Sequence, residues 1–157
     1  MVIKLVTFGF RNDLFKKASE VRLKVFVKEM GIDPNIDFDT LDIEAAHYLM
    51  LVDDKPVGTA RTIETKEGIA IERLSIIPEY RRIRLGSVLL KFVINDVLPT
   101  NKTIYLFSPE DLKYFFMLNG FEQTDQKLEI NNKPHVKMKY IVKEKTRLSF
   151  IKKLFKK

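Results

Sequence analysis

The chain has no cysteine and no tryptophan, and only two histidines among its 157 residues. Without cysteine there is no disulfide and no thiol to carry an acyl group, so any acyl transfer must use another nucleophile or pass directly from donor to acceptor. The same absence fits a reducing compartment, and the expected location is the cytoplasm. No apolar run approaches the ~20 residues that span a bilayer, and no signal-peptide pattern opens the chain. Internal repeats, linkers and a second domain are not legible either. What is present is a 45% hydrophobic composition in a chain long enough for one ordinary domain with a core.

The formal charge of +7 invites a nucleic-acid reading, but its distribution argues against one. Residues 143–157 hold seven basic side chains and one acidic one, which leaves only +1 for residues 1–142. The expected organisation is therefore a nearly neutral domain over 1–142 and a basic tail over 143–157, with no nucleic-acid partner. In the tail, Leu148, Ile151, Leu154 and Phe155 fall along one helical side among lysines. Such a helix can lie on an anionic membrane, bind a partner, or pack on its own domain.

Periodicity and punctuation give the element order. Strands are expected over 2–8, 46–52, 57–64, 68–77, 103–107 and 135–142. Helices are expected over 13–30, stopped by Gly31, over 85–97, ending before Pro99, and from 109 to the Asn119-Gly120 stop. This is an α/β chain of order β-α-β-β-β-α-β-α-β.

The segment from Ile71 to Leu90 carries the most chemistry. An apolar strand ends at Pro78, a basic turn with Arg81, Arg82 and Arg84 follows, and Gly86-Ser87 opens an apolar helix. Amides at a helix start backed by arginines suit a pyrophosphate. The arrangement resembles the acyl-coenzyme A motif of the GNAT superfamily of N-acetyltransferases, in which a Pro-x-Tyr-Arg turn leads into Arg/Gln-x-x-Gly-x-Gly/Ala. Arg81 stands at the leading position and Gly86 at the final one. Arg84 replaces the first glycine, and it is expected to take ordinary helical angles. Further resemblances run along the chain: Arg22, Val25, Phe26 and Glu29 as an Arg-x-x-Val-Phe-x-x-Glu first helix, Ala45-x-His47, Pro56 to Arg61, and Phe115 to Phe121.

The resemblance implies a GNAT fold, a central mixed sheet flanked by helices, with acetyl-CoA as co-substrate and no metal. It implies that Leu74, Ser75 and Ile76 pair with the pantetheine arm. The pyrophosphate would then meet Arg81, Arg82, Ile83, Arg84, Leu85, Gly86 and Ser87, with Phe115 beside the coenzyme. Glu72 is the candidate general base. Strand parity puts its side chain on the face of Leu74 and Ile76, and a salt bridge to Arg61 or Arg73 is the competing role. The family's helical tyrosine acid is absent, since Phe116 stands there. Ser108, Tyr105 and Tyr48 are the hydroxyls that could serve instead. Glu29, His47 and Arg61 are assigned to the acceptor side.

One pattern is set aside. Asp33, Asn35, Asp37, Asp39 and Glu44 fall at EF-hand ligand positions, but Phe38 occupies the place where that loop needs glycine. Acids without a base suit a cationic acceptor, or simply a solvated loop. The function expected is transfer of acetyl to a primary amine of a small molecule or peptide, by a monomer or homodimer. The alternatives are a non-catalytic acyl-CoA-binding module and an adaptor acting through its basic tail.

Overall fold

The computed structural model describes residues 1–143, so the tail reading falls almost entirely outside the described residues. Within them the strands form a mixed seven-strand sheet with flanking helices, the fold class expected. The chain divides into two compact units, residues 1–106 and 107 onward.

In the first unit, β1 (Ile3–Phe8), β2 (Ala46–Val52), β3 (Lys55–Thr65) and β4 (Gly68–Ile76) pair antiparallel in sequence order. β5 (Ile104–Pro109) begins in this unit and joins β4 in parallel. One face is covered by α1 (Leu14–Arg22), whose Ala18 and Val21 are buried, with Phe8, Leu49 and Leu51 in the core beneath. The other carries α3 (Leu85–Val97), the span expected, which buries Leu85, Leu89, Leu90, Val93, Ile94 and Val97. Between them in sequence comes α2 (Pro34–Asp37), a single turn in the acidic loop.

The first helix departs from expectation after Arg22. Residues Leu23–Glu29 are π-helical, closed by Met30 N–H donating to Val25 O at 3.0 Å, and Gly31 at φ +70° ends the run. The wider turn shifts the face presented by the last residues, so periodicity at 3.6 no longer predicts where Glu29 points.

In the second unit, α4 (Lys113–Leu118) packs Phe116 edge-on against Phe121, which in turn meets Tyr140. Phe121 opens β6 (Phe121–Ile130), which pairs antiparallel with β7 (Lys133–Tyr140). β6 is an addition to the expected element order. Most of its residues are exposed, so no period-2 apolar signal marks it. The missed cue was Asn131-Asn132, which turns the hairpin with both residues at positive φ. The helix expected from 109 also starts late. Pro109 is extended at φ −55°, ψ 151° and ends β5, a 3-10 turn covers Glu110–Leu112, and only then does α4 begin.

Among the described residues no helix is long and apolar enough to cross a membrane. A tightly constrained backbone position is Gly68, at φ +140° where β4 starts. A Cβ there would lie 2.1 Å from Thr103 O, the oxygen that accepts from Ile69 N–H and starts the β4–β5 junction. Gly68→Ala should therefore cost about 2–4 kcal/mol, measured as a lowered urea midpoint at unchanged m. Gly9→Ala, with nothing within 4 Å of the new methyl, should stay within about 0.5 kcal/mol.

Candidate functional site

β4 is the strand that organises the site. It pairs with β5 only through Ile69–Ile104 and Ala70–Tyr105, so the rest of the strand runs on without a β5 partner in that register. On the β3 side, Arg61 opposes Glu72 and Thr59 opposes Ser75, which leaves an extra residue on β4. Arg73 takes the left-handed conformation (φ +56°) at this bulge. The expected parity is corrected here. The bulge puts Glu72 on the face of Ser75, Arg61 and Thr59, the α1 side, while Ile76 turns to α3, where its Cδ1 and Leu89 Cδ2 crowd Gly58.

The turn after β4 leads into α3 without glycine at its bends. Arg82 (φ +65°) and Arg84 (φ +66°) are both left-handed, so Arg84 does not take the helical angles expected of it. The conformation is the one a glycine adopts without strain, and arginine has kept it. Arg84 is the N-cap residue and makes no side-chain cap. The first intrahelical bond runs from Val88 N–H to Arg84 O. The amides of Leu85, Gly86 and Ser87 are therefore left without helical acceptors at a positive helix end. Arg82, Ile83 and Arg84 are exposed, and neither arginine forms an ion pair among the described residues. Leu85 is buried, so its side chain is not offered to a ligand. Arg81 is different: Nε donates to Ile76 O at 2.8 Å, and its terminal nitrogens donate to Glu29 at 2.8 and 2.6 Å.

Beside Glu72 lies a network of charges that the sequence did not reveal as one. Arg61 is 1% exposed and holds Asp39 (2.6 and 2.9 Å), Asp42 (2.8 Å) and Glu72 Oε2 (3.0 and 2.7 Å). Arg22, equally buried, binds Asp37 and Asp42 at 3.0 and 2.8 Å and stacks on Phe38. Arg73 adds Asp37 and Asp39. The acidic loop is thus anchored inward through Asp37, Asp39 and Asp42, while Asp33, Asn35 and Glu44 stay exposed. Asp33 and Asp39 cap its turns, and Asp37, Asp39 and Asp42 together neutralise three arginines. The hydrogen bond from Arg61 holds the Asp39 carboxyl below its usual range despite partial burial.

Several expected contacts are redirected by these partners. Arg61 is buried, its guanidinium taken up by Asp39, Asp42 and Glu72. Glu29 is turned to Arg81. His47 is buried, its Nε2 against Asp42 O at 2.9 Å and its ring against Phe8 and Phe15. Burial lowers its pKa, which keeps it neutral. Tyr105 bonds Thr65 at 2.7 Å, toward the β3–β4 turn and away from Glu72. Tyr48 is buried on the α3 side, its hydroxyl donating to Asp96 at 2.5 Å. In the second unit, the buried Ser108 hydroxyl donates to Pro109 O, and Phe115 stands edge-on to Phe116. Glu72 stands on β4 with 35% of its side chain exposed.

The buried neutral His47 makes stability depend on pH. Its folded pKa lies below the unfolded value near 6.5, so its contribution is present above that pH and is lost as pH falls through the folded pKa. Urea midpoints should fall on acidification below pH 6.5, and the part of that fall due to the imidazole should vanish in His47→Gln.

Comparison with known proteins bears on the family and the fold. The family model described as an acetyltransferase (GNAT) domain matches residues 17–142. A Bacillus subtilis (strain 168) protein named as a candidate acetyltransferase is 30% identical over 125 residues, 77% of this chain and 85% of that protein. In fold alone, a candidate N-acetyltransferase from Lactobacillus plantarum superposes with a TM-score of 0.81 at 20% identity, covering 89% of this chain and 98% of that one. A GNAT family acetyltransferase from Elizabethkingia anophelis, with acetyl-CoA bound, gives 0.66 at 14% identity over 89% and 98%. The family model spans most of the chain, including the bulged strand and the uncapped helix start, and the chain belongs to the GNAT acetyltransferase family.

Proposed function

We propose that this protein is an acetyl-CoA-dependent N-acetyltransferase that moves the acetyl group directly to a primary amine of a small molecule or peptide. The observation that carries the reading is the uncapped start of α3, flanked by the exposed Arg82 and Arg84, at the end of a strand whose far half lies beyond its pairing with β5. A coenzyme with amides in its arm and a pyrophosphate fits these two features. The β4 edge from Leu74 to Ile76 would hold the pantetheine, and the amides of Leu85 to Ser87 would hold the phosphates. Bound there, the coenzyme supplies a thioester as acyl donor.

Glu72 is the base in this reading. Arg61 engages Oε2 through two hydrogen bonds and fixes the carboxylate, while the partly exposed side chain still faces solvent. Its task is to take a proton from the acceptor ammonium, directly or through water, since only the neutral amine is nucleophilic. With no cysteine in the chain, no protein thiol is available as an acyl carrier, which is consistent with direct transfer. Phe116 offers no hydroxyl and serves as a core residue, 6% exposed. That observation keeps a second reading in view, an acyl-CoA-binding module without turnover. Location in the cytoplasm, a monomeric or dimeric state and the absence of nucleic-acid partners belong to the same proposal.

Glu72→Gln should lower kcat by about 10²-fold or more while CoA affinity stays near wild type, because general-base catalysis contributes about 10²–10⁴-fold. The deficit should shrink at alkaline pH, where more of the amine is already neutral. A thiol-release screen over polyamines, amino sugars, amino acids and peptides identifies the acceptor. Equal turnover of the two proteins at neutral pH would return Glu72 to a purely structural role, and CoA binding without any release would establish the binding-module reading.

Gly86→Leu should abolish CoA binding in calorimetry without unfolding α3, since Gly86 has helical backbone angles and is only partly buried. Wild-type affinity in this variant would remove the pyrophosphate from the helix start.

A further inference from the structure

Arg81 stands first in the basic turn, yet its guanidinium is already engaged on all three nitrogens. Nη1 and Nη2 donate to Glu29 Oε2 and Oε1 at 2.8 and 2.6 Å, a two-point fork, and Nε donates to Ile76 O at 2.8 Å. One side chain thus ties together the last residue of the π-helical segment, the last residue of β4 and the first residue of the turn. The hydrogen bond from Arg81 holds the Glu29 carboxyl below the usual glutamate range. The turn beyond this tie is the strained one. Arg82 and Arg84 both sit at positive φ, a conformation that persists in non-glycine residues only where surrounding contacts enforce it. The side chains of both are exposed and form no ion pair among the described residues, so neither side chain enforces it.

We propose that Glu29 is a positioning residue for the coenzyme. Acting through Arg81, it clasps the turn at 81–84 in the conformation that presents the amides of Leu85, Gly86 and Ser87 to a pyrophosphate. The inference rests on the reading of this turn as the coenzyme site. It also divides the arginines by role. The Glu29–Arg81 pair is neutral as a unit and contributes geometry, whereas Arg82 and Arg84 carry the uncompensated charge that an anionic ligand meets. The π-helical run belongs to the same device, because its wider turn sets where Glu29, at its end, is directed.

The test is CoA binding by calorimetry across a range of salt concentrations, with acetyl-CoA kinetics alongside. Glu29→Ala should weaken binding at least about fivefold, the lower end of what releasing one discrete constraint costs. It should raise the KM for acetyl-CoA while kcat at saturation holds. The salt dependence should be kept in the charge-neutral double variant Glu29→Ala/Arg81→Gln, and reduced in Arg82→Ala and Arg84→Ala. In an Arg84→Gly background, where glycine takes the left-handed angles without strain, the effect of Glu29→Ala should shrink to below about twofold. Undiminished CoA affinity in Glu29→Ala, or an equal loss in the Arg84→Gly background, would overturn the proposal. If the wild-type protein binds no CoA, the coenzyme reading fails on its own. The clasp is then judged by amide exchange at residues 82–87 in the ligand-free protein: faster exchange in Glu29→Ala supports it, and unchanged exchange overturns it.

Discussion

Arg61 is a fixed positive charge with 1% exposure, and much of the first unit is arranged to make that tolerable. A guanidinium taken out of water loses several kcal/mol of hydration, which is recovered only if every donor finds an anionic or carbonyl oxygen in good geometry. Asp39, Asp42 and Glu72 supply those oxygens, and Asp42 is shared with Arg22, itself buried. The acidic loop is therefore a counter-ion. Its turns are capped by its own aspartates and its path is set by where the arginines stand. Removing one partner of such a pair leaves a bare buried charge, at a cost of about 3–5 kcal/mol, so the whole arrangement stands or falls together.

The same network extends to Glu72, the candidate base. A glutamate on a strand is ordinarily free to sample rotamers, but two hydrogen bonds from Arg61 fix this one. The bulge at Arg73 decides which side of the sheet it occupies. One extra residue reverses the alternation between Glu72 and Ile76, so the base candidate is sent to the α1 side, where the charges are, and Ile76 to the apolar α3 side. Arg73, left-handed at the bulge, is held there by Asp37 and Asp39. Strain and ion pairing are thus coupled at this strand, as they are again in the turn that follows it.

Much of the fold was legible in the residues. The helix at 85–97 was marked by its apolar period and by Pro99, and the strands from 46 to 77 by apolar runs between turn residues. Elements that lacked such marks were not legible. β6 is polar along most of its length and is a strand because β7 pairs with it, with Asn131-Asn132 as the only local cue. The π-helical run reads as ordinary helix, since one wide turn changes no residue type. In the site, the residues suggest the pairing of Glu72 with Arg61, which forms at 2.7 Å, but not the other ion pairs. Glu29 and Arg81 are 52 positions apart, and Arg22 and Asp42 are 20 apart. Nothing in either residue's neighbourhood names its partner.

What the sequence by itself determined is chemistry that depends on residue type: no thiol intermediate, a basic turn ahead of a helix start, a glycine at position 86 and no hydroxyl at position 116. What only the tertiary structure decided is which of the charged groups remain available to a ligand. Arg61 and His47 went into the interior, and Arg81 and Glu29 into each other. Arg82, Arg84 and the exposed part of Glu72 were left to the solvent. The physical reason is that charge partnership depends on distance and desolvation in three dimensions. Both are fixed by long-range packing and by a single inserted residue in β4, to which local composition and periodicity are blind.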